Sequence, residues 1–133
     1  MFLQFFQQLF CFFLHVGETG SFRKPLRREE EQACFEALAA GDRSAREKLI
    51  LHNMRLVAHV IKKYGMPQPE QEELISIGTV GLVKAVDSFD CTKGARFATY
   101  ASKCINNEIL MNFRSQKKHA DQIYMGEPIE TDG

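Results

Sequence analysis

The sequence predicts an all-α fold, a compact helical bundle preceded by an apolar amphipathic leader helix. Three observations carry this. Apolar residues recur at three- and four-residue spacings through residues 44–64, 70–87 and 97–117. Glycine and proline fall between those runs and not at random. No alternating strand pattern occurs before residue 119, and no internal repeat is visible. At 133 residues the chain has room for one small domain, and a hydrophobic content of 44% places it among globular sequences and not disordered ones.

Residues 2–16 read FLQFFQQLFCFFLHV, and eleven of these fifteen are apolar. The run is shorter than the roughly 20 residues that a straight helix needs to cross a bilayer. It lacks the basic start and small-residue cleavage site of a secretory signal. As a helix it puts Gln4, Gln8 and His15 along one stripe with Gln7 beside them. That describes an amphipathic helix in a membrane interface, or one paired with a partner inside the membrane. The basic cluster Arg23, Lys24, Arg27 and Arg28 follows and suits an anionic cytoplasmic leaflet. The plainer alternative is a core helix of the domain. Gly17, Gly20 and Ser21 weigh against it by making a flexible break.

The globular part begins at Pro25. Residues 28–40 form a helix with Ala33 and Leu38 inward and Phe35 as a third candidate, and Gly41 ends it. Asp42 or Ser44 caps the next helix, expected as one rod over 44–64. Its apolar stripe is Leu49, Ile50, Leu56, Val57, Val60, Ile61 and Tyr64. Arg46, Lys48, Arg55, Lys62 and Lys63 lie opposite. Gly65, Pro67 and Pro69 mark a loop, and residues 70–73 bring negative charge to a new helix start.

The helix over 70–87 carries Leu74, Ile75, Ile77, Val80, Leu82, Val83 and Val86 almost all round. Gly78 and Gly81 each cost about 1 kcal/mol relative to Ala in a helix, so they imply close approach to a neighbouring helix. One face should be core and a second is open to docking. For Leu74, Ile77 and Val83 individually, core burial is the favoured alternative. A turn over 87–94 contains Phe89 and Gly94.

The last helix, over 97–117, has an inner face of Phe97, Ala101, Cys104, Ile105 and Ile109 and an outer face of Lys103, Asn106, Asn107, Arg114, Lys117 and Lys118. The formal net charge of zero hides a polarised layout. Residues 93–118 hold six Lys or Arg against Glu108 alone, whereas residues 121–133 hold four carboxylates and no Lys or Arg. A local basic patch binds phosphates whatever the total charge. Phe97 and Tyr100 beside Arg96 and Lys103 suit unpaired bases, which stack on rings while cations hold the backbone. A merely solvated helix face is the alternative. Residues 119–133, with Gly126, Pro128 and Gly133, read as an extended acidic linker.

The sequence offers no nucleophile–base pair, phosphate-cradling Gly-rich loop or metal cluster, so no enzyme activity and no cofactor is expected. Cys11, Cys34, Cys91 and Cys104 show neither CxxC spacing nor a disulfide framework and read as reduced thiols of a cytoplasmic protein. His52 and His59 lack the company a metal site needs.

The runs LILHNMRLVAHVIKKY, EELISIGTVGLVKAVDSFD and GARFATYASKCINNEIL closely resemble region 2 of the sigma-70-type sigma factors, the promoter-recognition subunits of bacterial RNA polymerase. The resemblance covers residues 26–118, with REEEQACFEALAAGDRSAREKL similar to the segment before region 2. ISIGTVGL and CINNEILM resemble the sporulation branch. Its mother-cell members include precursors held at a membrane until an intramembrane protease removes a leader.

The resemblance implies roles. Glu73, Leu74, Ile77, Val80, Gly81, Val83 and Lys84 would dock on the clamp coiled coil of the largest subunit of the RNA polymerase core. Arg96, Phe97, Thr99 and Tyr100 would capture the non-template strand as the minus-ten element of promoter DNA opens. Asn106, Asn107, Leu110 and Met111 would read its upstream duplex edge, while Lys103, Arg114, Lys117 and Lys118 hold phosphates. Residues 1–20 would be the membrane-associating leader, cleaved near Gly20 and Ser21.

Departures are visible too. Housekeeping members carry two adjacent tryptophans where this chain has Lys103 and Cys104, and the chain has no Trp. That implies weaker strand separation and stricter dependence on promoter sequence. Ser76 and Ile77 replace a polar Gln-Glu pair. Regions 3 and 4 are not in the sequence, so the chain is expected to be a fragment or one half of an interrupted gene. The competing reading is a truncated membrane-bound module that occupies polymerase or a processing protease without supporting transcription.

Overall fold

A computed structural model describes residues 22–126, together with positions 3, 4 and 7. Apart from those three positions, the leader lies outside the described residues, as do the cleavage candidates Gly20 and Ser21 and the end of the tail, 127–133. The described residues hold no strand; the fold is all-α.

Helix α1 spans Arg28–Ala39, and Glu29, Glu30 and Glu31 sit in its first turn where the helix dipole favours them. The Arg27 amide donates to the Glu30 carboxylate at 3.4 Å. Burial raises the pKa of Glu31. The inward residues are Cys34 and Phe35, whereas Ala33 is exposed and Leu38 half-buried. The inner face is therefore rotated from the expected one, because the large Phe ring takes the core position. Gly41, at φ +96°, ends the helix.

Helix α2 spans Arg43–His52, capped by Asp42, whose Oδ1 accepts from the Ser44 amide at 3.0 Å. The single rod expected over 44–64 is in fact two helices, because α3 restarts at Met54–Lys62. Asn53 makes the break. Its backbone turns to φ −112° and ψ 6°, and its side-chain amide donates to the Leu49 carbonyl at 2.6 Å. An asparagine that satisfies a backbone carbonyl of the preceding turn competes with the helix ladder.

Helix α4, Gln68–Ser88, is the central element. It packs against α2, α3 and α5, which explains its apolar character on several sides. Leu74, Leu82 and Val86 are buried, Ile75, Ile77 and Val83 half-buried, and Val80 exposed. The buried Thr79 satisfies its hydroxyl on the Ile75 carbonyl at 2.7 Å. After α4 a 3-10 turn, Cys91–Lys93, is held by Asp90 accepting from the Thr92 amide at 2.9 Å.

Helix α5 runs from Phe97 to Gly126, 30 residues. The extended linker expected from residue 119 is thus helical to Gly126. His-Ala-Asp-Gln holds no breaker, and acidity alone does not end a helix.

The core joins α2, α3, α4 and α5 through Leu49, Ile50, Val57, Ile61, Leu82, Val86, Ile105 and Ile109, all at most 1–2% exposed. Each contributes about 1.5–3 kcal/mol by burial. Phe35, Phe89 and Phe97 form an aromatic cluster with ring centroids 4.9–5.2 Å apart.

Candidate nucleic-acid and docking surfaces

On α4 the docking candidates separate by burial. Glu73, Val80 and Lys84 are exposed, Ile77 and Val83 half-buried. Leu74, 3% exposed, and Gly81 are interior. Those two assignments are corrected: Leu74 belongs to the core, and Gly81 belongs to the seam with α5. A Cβ on Gly81 would lie 2.8 Å from Ile105 Cα and 3.0 Å from the Cys104 carbonyl oxygen. The glycine is what lets the two backbones meet. A notch of about 130 Å³ opens between α4 and α5, lined by Met66, Glu73, Ile77, Phe113 and Gln116 among others. Gln116 donates to Glu73 across its rim at 3.4 Å.

The outward face of α4 is mixed in charge, with Glu72, Glu73, Ser76, Val80, Lys84 and Asp87 exposed. Lys84 is not a free cation, since its ammonium meets Glu108 of α5 at 3.0 Å.

That pair clarifies α5. Glu108 is the helix's only carboxylate before Asp121, and it is turned toward α4. The opposite side presents Arg96, Thr99, Lys103, Asn107, Leu110 and Arg114, at spacings of three and four, all exposed. Met111, 56% exposed, lies beside Leu110, and Lys117 and Lys118 prolong the stripe. Five cations share this face with no carboxylate between them. Its field attracts polyanions, and its two exposed apolar side chains supply contacts that phosphates do not need.

Three further candidates make contacts inside the bundle. Phe97 is 3% exposed and packs its ring on Phe35 and Phe89. This agrees with its place on the inner face of the helix and corrects its assignment as a strand-contacting ring. Tyr100 is half-buried, tilted 44° against Phe89 at 5.5 Å, with its hydroxyl 2.8 Å from Ser88 Oγ. Asn106 is half-buried, and its Oδ1 accepts a hydrogen bond from the Tyr64 hydroxyl. The Tyr64 ring in turn meets Phe113 edge-on at 5.8 Å. One acceptor site of Asn106 is therefore engaged inside the protein, whereas Asn107 is exposed to solvent.

Sequence reasoning gave Ser88, Tyr64 and Glu108 no role in the site. Nothing in the sequence links Tyr64 to Asn106, which is 42 residues away. Glu108 was detectable as the one acid in a basic helix. Among the described residues no cluster of His, Cys, Asp and Glu could hold a metal, and no helix is long and apolar enough to cross a membrane.

Residues 49–119 match the family described as Sigma-70 region 2. The chain is 43% identical over 126 residues to the RNA polymerase sigma-28 factor of Bacillus thuringiensis subsp. kurstaki, covering 95% of this chain and 53% of that protein. It is 45% identical over 100 residues to the RNA polymerase sigma-K factor of Bacillus subtilis (strain 168), covering 75% and 34%. It is 42% identical over 118 residues to the RNA polymerase sigma-E factor of Clostridium acetobutylicum, covering 89% and 50%. The chain spans about half the length, or less, of these relatives. A two-part surface, with an α4 face beside a carboxylate-free basic stripe on α5, therefore stands on a chain that belongs to the sigma-70 region 2 family.

Proposed function

We infer that this chain is the region 2 part of a sporulation-type sigma factor. It binds the RNA polymerase core through α4 and directs minus-ten recognition and opening of promoter DNA through α5. The observation that carries this is the exposed stripe from Arg96 to Lys118, with five cations and no carboxylate. The chain acts by binding; polymerase supplies the chemistry.

Each exposed group has work suited to its chemistry. Val80, with the partly open Ile77 and Val83, gives α4 an apolar contact, and Glu73 and Lys84 give it polar rims. Arg96 and Lys103 neutralise phosphates on either side of Tyr100, whose ring stacks an unpaired base. Asn107 reads a base edge in the duplex, and Leu110 and Met111 make apolar contact there. Arg114, Lys117 and Lys118 track the backbone. No indole wedge is present, so opening depends more on capture of the strand than on prising it apart.

Residues 1–20 act as a membrane-associating leader, and the exposed Arg23, Lys24, Arg27 and Arg28 rest against anionic lipid. An intramembrane protease removes the leader near Gly20 and Ser21 and frees the protein to the cytoplasm.

The test is a salt titration of minus-ten DNA bound by the chain in complex with polymerase core. Lys103→Ala and Arg114→Ala should each lower the slope of log affinity against log salt by about 1. Slopes identical to the parent's would remove the stripe from the interface.

A further inference from the structure

Ser88 ends α4, and its hydroxyl makes two hydrogen bonds. It donates to the Lys84 carbonyl at 2.7 Å, and it stands 2.8 Å from the Tyr100 hydroxyl. A serine has one proton to give, and a carbonyl can only accept. The Lys84 bond therefore uses Ser88's proton, and in the second bond the Tyr100 O–H donates to Ser88 Oγ. Tyr100 is thus fixed at two points. Its hydroxyl is anchored on the last turn of α4, and its ring rests on Phe89 at 5.5 Å. Phe89 is itself held by Phe35 and Phe97. The Tyr100 ring is half-buried, and in the sequence it stands between the exposed Arg96 and Lys103.

We propose that Ser88 is a positioning residue for strand capture, holding the Tyr100 ring in the orientation that an unpaired base stacks on. This rests on the reading of Tyr100 as the strand-capturing ring. Without the Ser88 oxygen, the ring keeps its contact with Phe89 but can turn about its side-chain torsions, and a stacking platform loses affinity when it must be ordered at binding. The tie also makes the end of the docking helix one support of the strand-capturing ring.

Two measurements test it. The first uses the 133-residue chain labelled with 3-fluorotyrosine, whose three tyrosines are Tyr64, Tyr100 and Tyr124. In the fluorine NMR spectrum Ser88→Ala should move the Tyr100 resonance and leave that of Tyr64 in place. The second uses the chain bound to RNA polymerase core and an A/T-rich single-stranded oligonucleotide with one adenine replaced by 2-aminopurine. Ser88→Ala and Tyr100→Phe should each weaken binding about three- to tenfold, as loss of one hydrogen bond does. The double variant should be no weaker than either single, and Ser88→Thr, which keeps the hydroxyl, should bind within about twofold of the parent.

Additive losses in the double variant would overturn the proposal, because the Tyr100 hydroxyl would then have a partner other than Ser88. An unmoved Tyr100 resonance would overturn it as well. If Tyr100→Ala weakens binding and Ser88→Ala does not, Ser88 alone is excluded. If Tyr100→Ala has no effect, the strand-capture reading falls and the proposal falls with it.

Discussion

Gly81 of α4 meets Ile105 of α5 so closely that a Cβ on the glycine would stand 2.8 Å from the Ile105 Cα. Ala is the better helix former by about 1 kcal/mol, yet here the obstacle is backbone, which cannot rotate aside. Gly81→Ala should therefore lower stability by about 1–3 kcal/mol net. At Gly78 the added Cβ meets side-chain atoms of Val57 and Ile105 at 2.9 and 3.3 Å, so Gly78→Ala should cost less. Urea unfolding followed by circular dichroism ranks the two; a larger loss at Gly78 would contradict a backbone seam at Gly81.

Burial separates Leu74 from Val80, 3% against 41% exposed. Leu74→Glu puts a carboxylate in the core and should destabilise by more than about 3 kcal/mol. Val80→Glu should leave stability within about 0.5 kcal/mol while weakening association with polymerase core. Thermal melts paired with core-binding titrations decide it. Loss of core binding without loss of fold in Leu74→Glu would reverse the assignment.

The two Asx turns set an acid response. Asp42 has its pKa lowered by hydrogen bonds from Ser44, and Asp90 has its pKa lowered by hydrogen bonds from Thr92. A lowered folded-state pKa means that the unfolded chain binds protons first as pH falls. The stabilisation is complete above the ordinary aspartate pKa, about 4, and is lost as pH drops below it. Asp42→Asn and Asp90→Asn should flatten the stability profile below that pH. Burial raises the Glu31 pKa, so Glu31 works the opposite way, favouring the fold as it protonates. An acid limb unchanged in both Asn variants would remove these caps as its source.

Deleting residues 1–20 should move the chain from the membrane fraction to the supernatant in cells, and replacing Arg23, Lys24, Arg27 and Arg28 together should weaken the membrane association without abolishing it. Equal membrane fractions with and without the leader would exclude it as the tether.

Most of the bundle was legible because its helices obey a single period. The inner face of α5 follows directly from spacing: Phe97, Ala101, Ile105 and Ile109 are buried, and Cys104 is half-buried. What escaped the sequence was direction about the axis and partnership at a distance. Leu74 and Val80 are equally apolar, and only the packing of the neighbouring helices makes one core and the other surface. Spacing turns Phe97 inward, but that Phe35 and Phe89 are what its ring meets is a matter of tertiary placement. Asn53 broke a periodic stretch through one side-chain hydrogen bond, which no apolar pattern records. The Ser88–Tyr100 and Tyr64–Asn106 bonds depend on tertiary placement alone.

Helix α5 outlasts the bundle that supports it. Ile109 is fully buried, Phe113 half-buried, and every side chain over 114–123 exposed. An isolated helical segment of that length is marginal in water. Its order is inherited from the anchored turns behind it, so amide protection should decay outward from Ile109 toward Gly126. Whatever grips Arg114, Lys117 and Lys118 would then slow exchange along the whole overhang, making this end, tied to α4 through the Gln116–Glu73 hydrogen bond, a sensitive reporter of occupancy on the basic stripe.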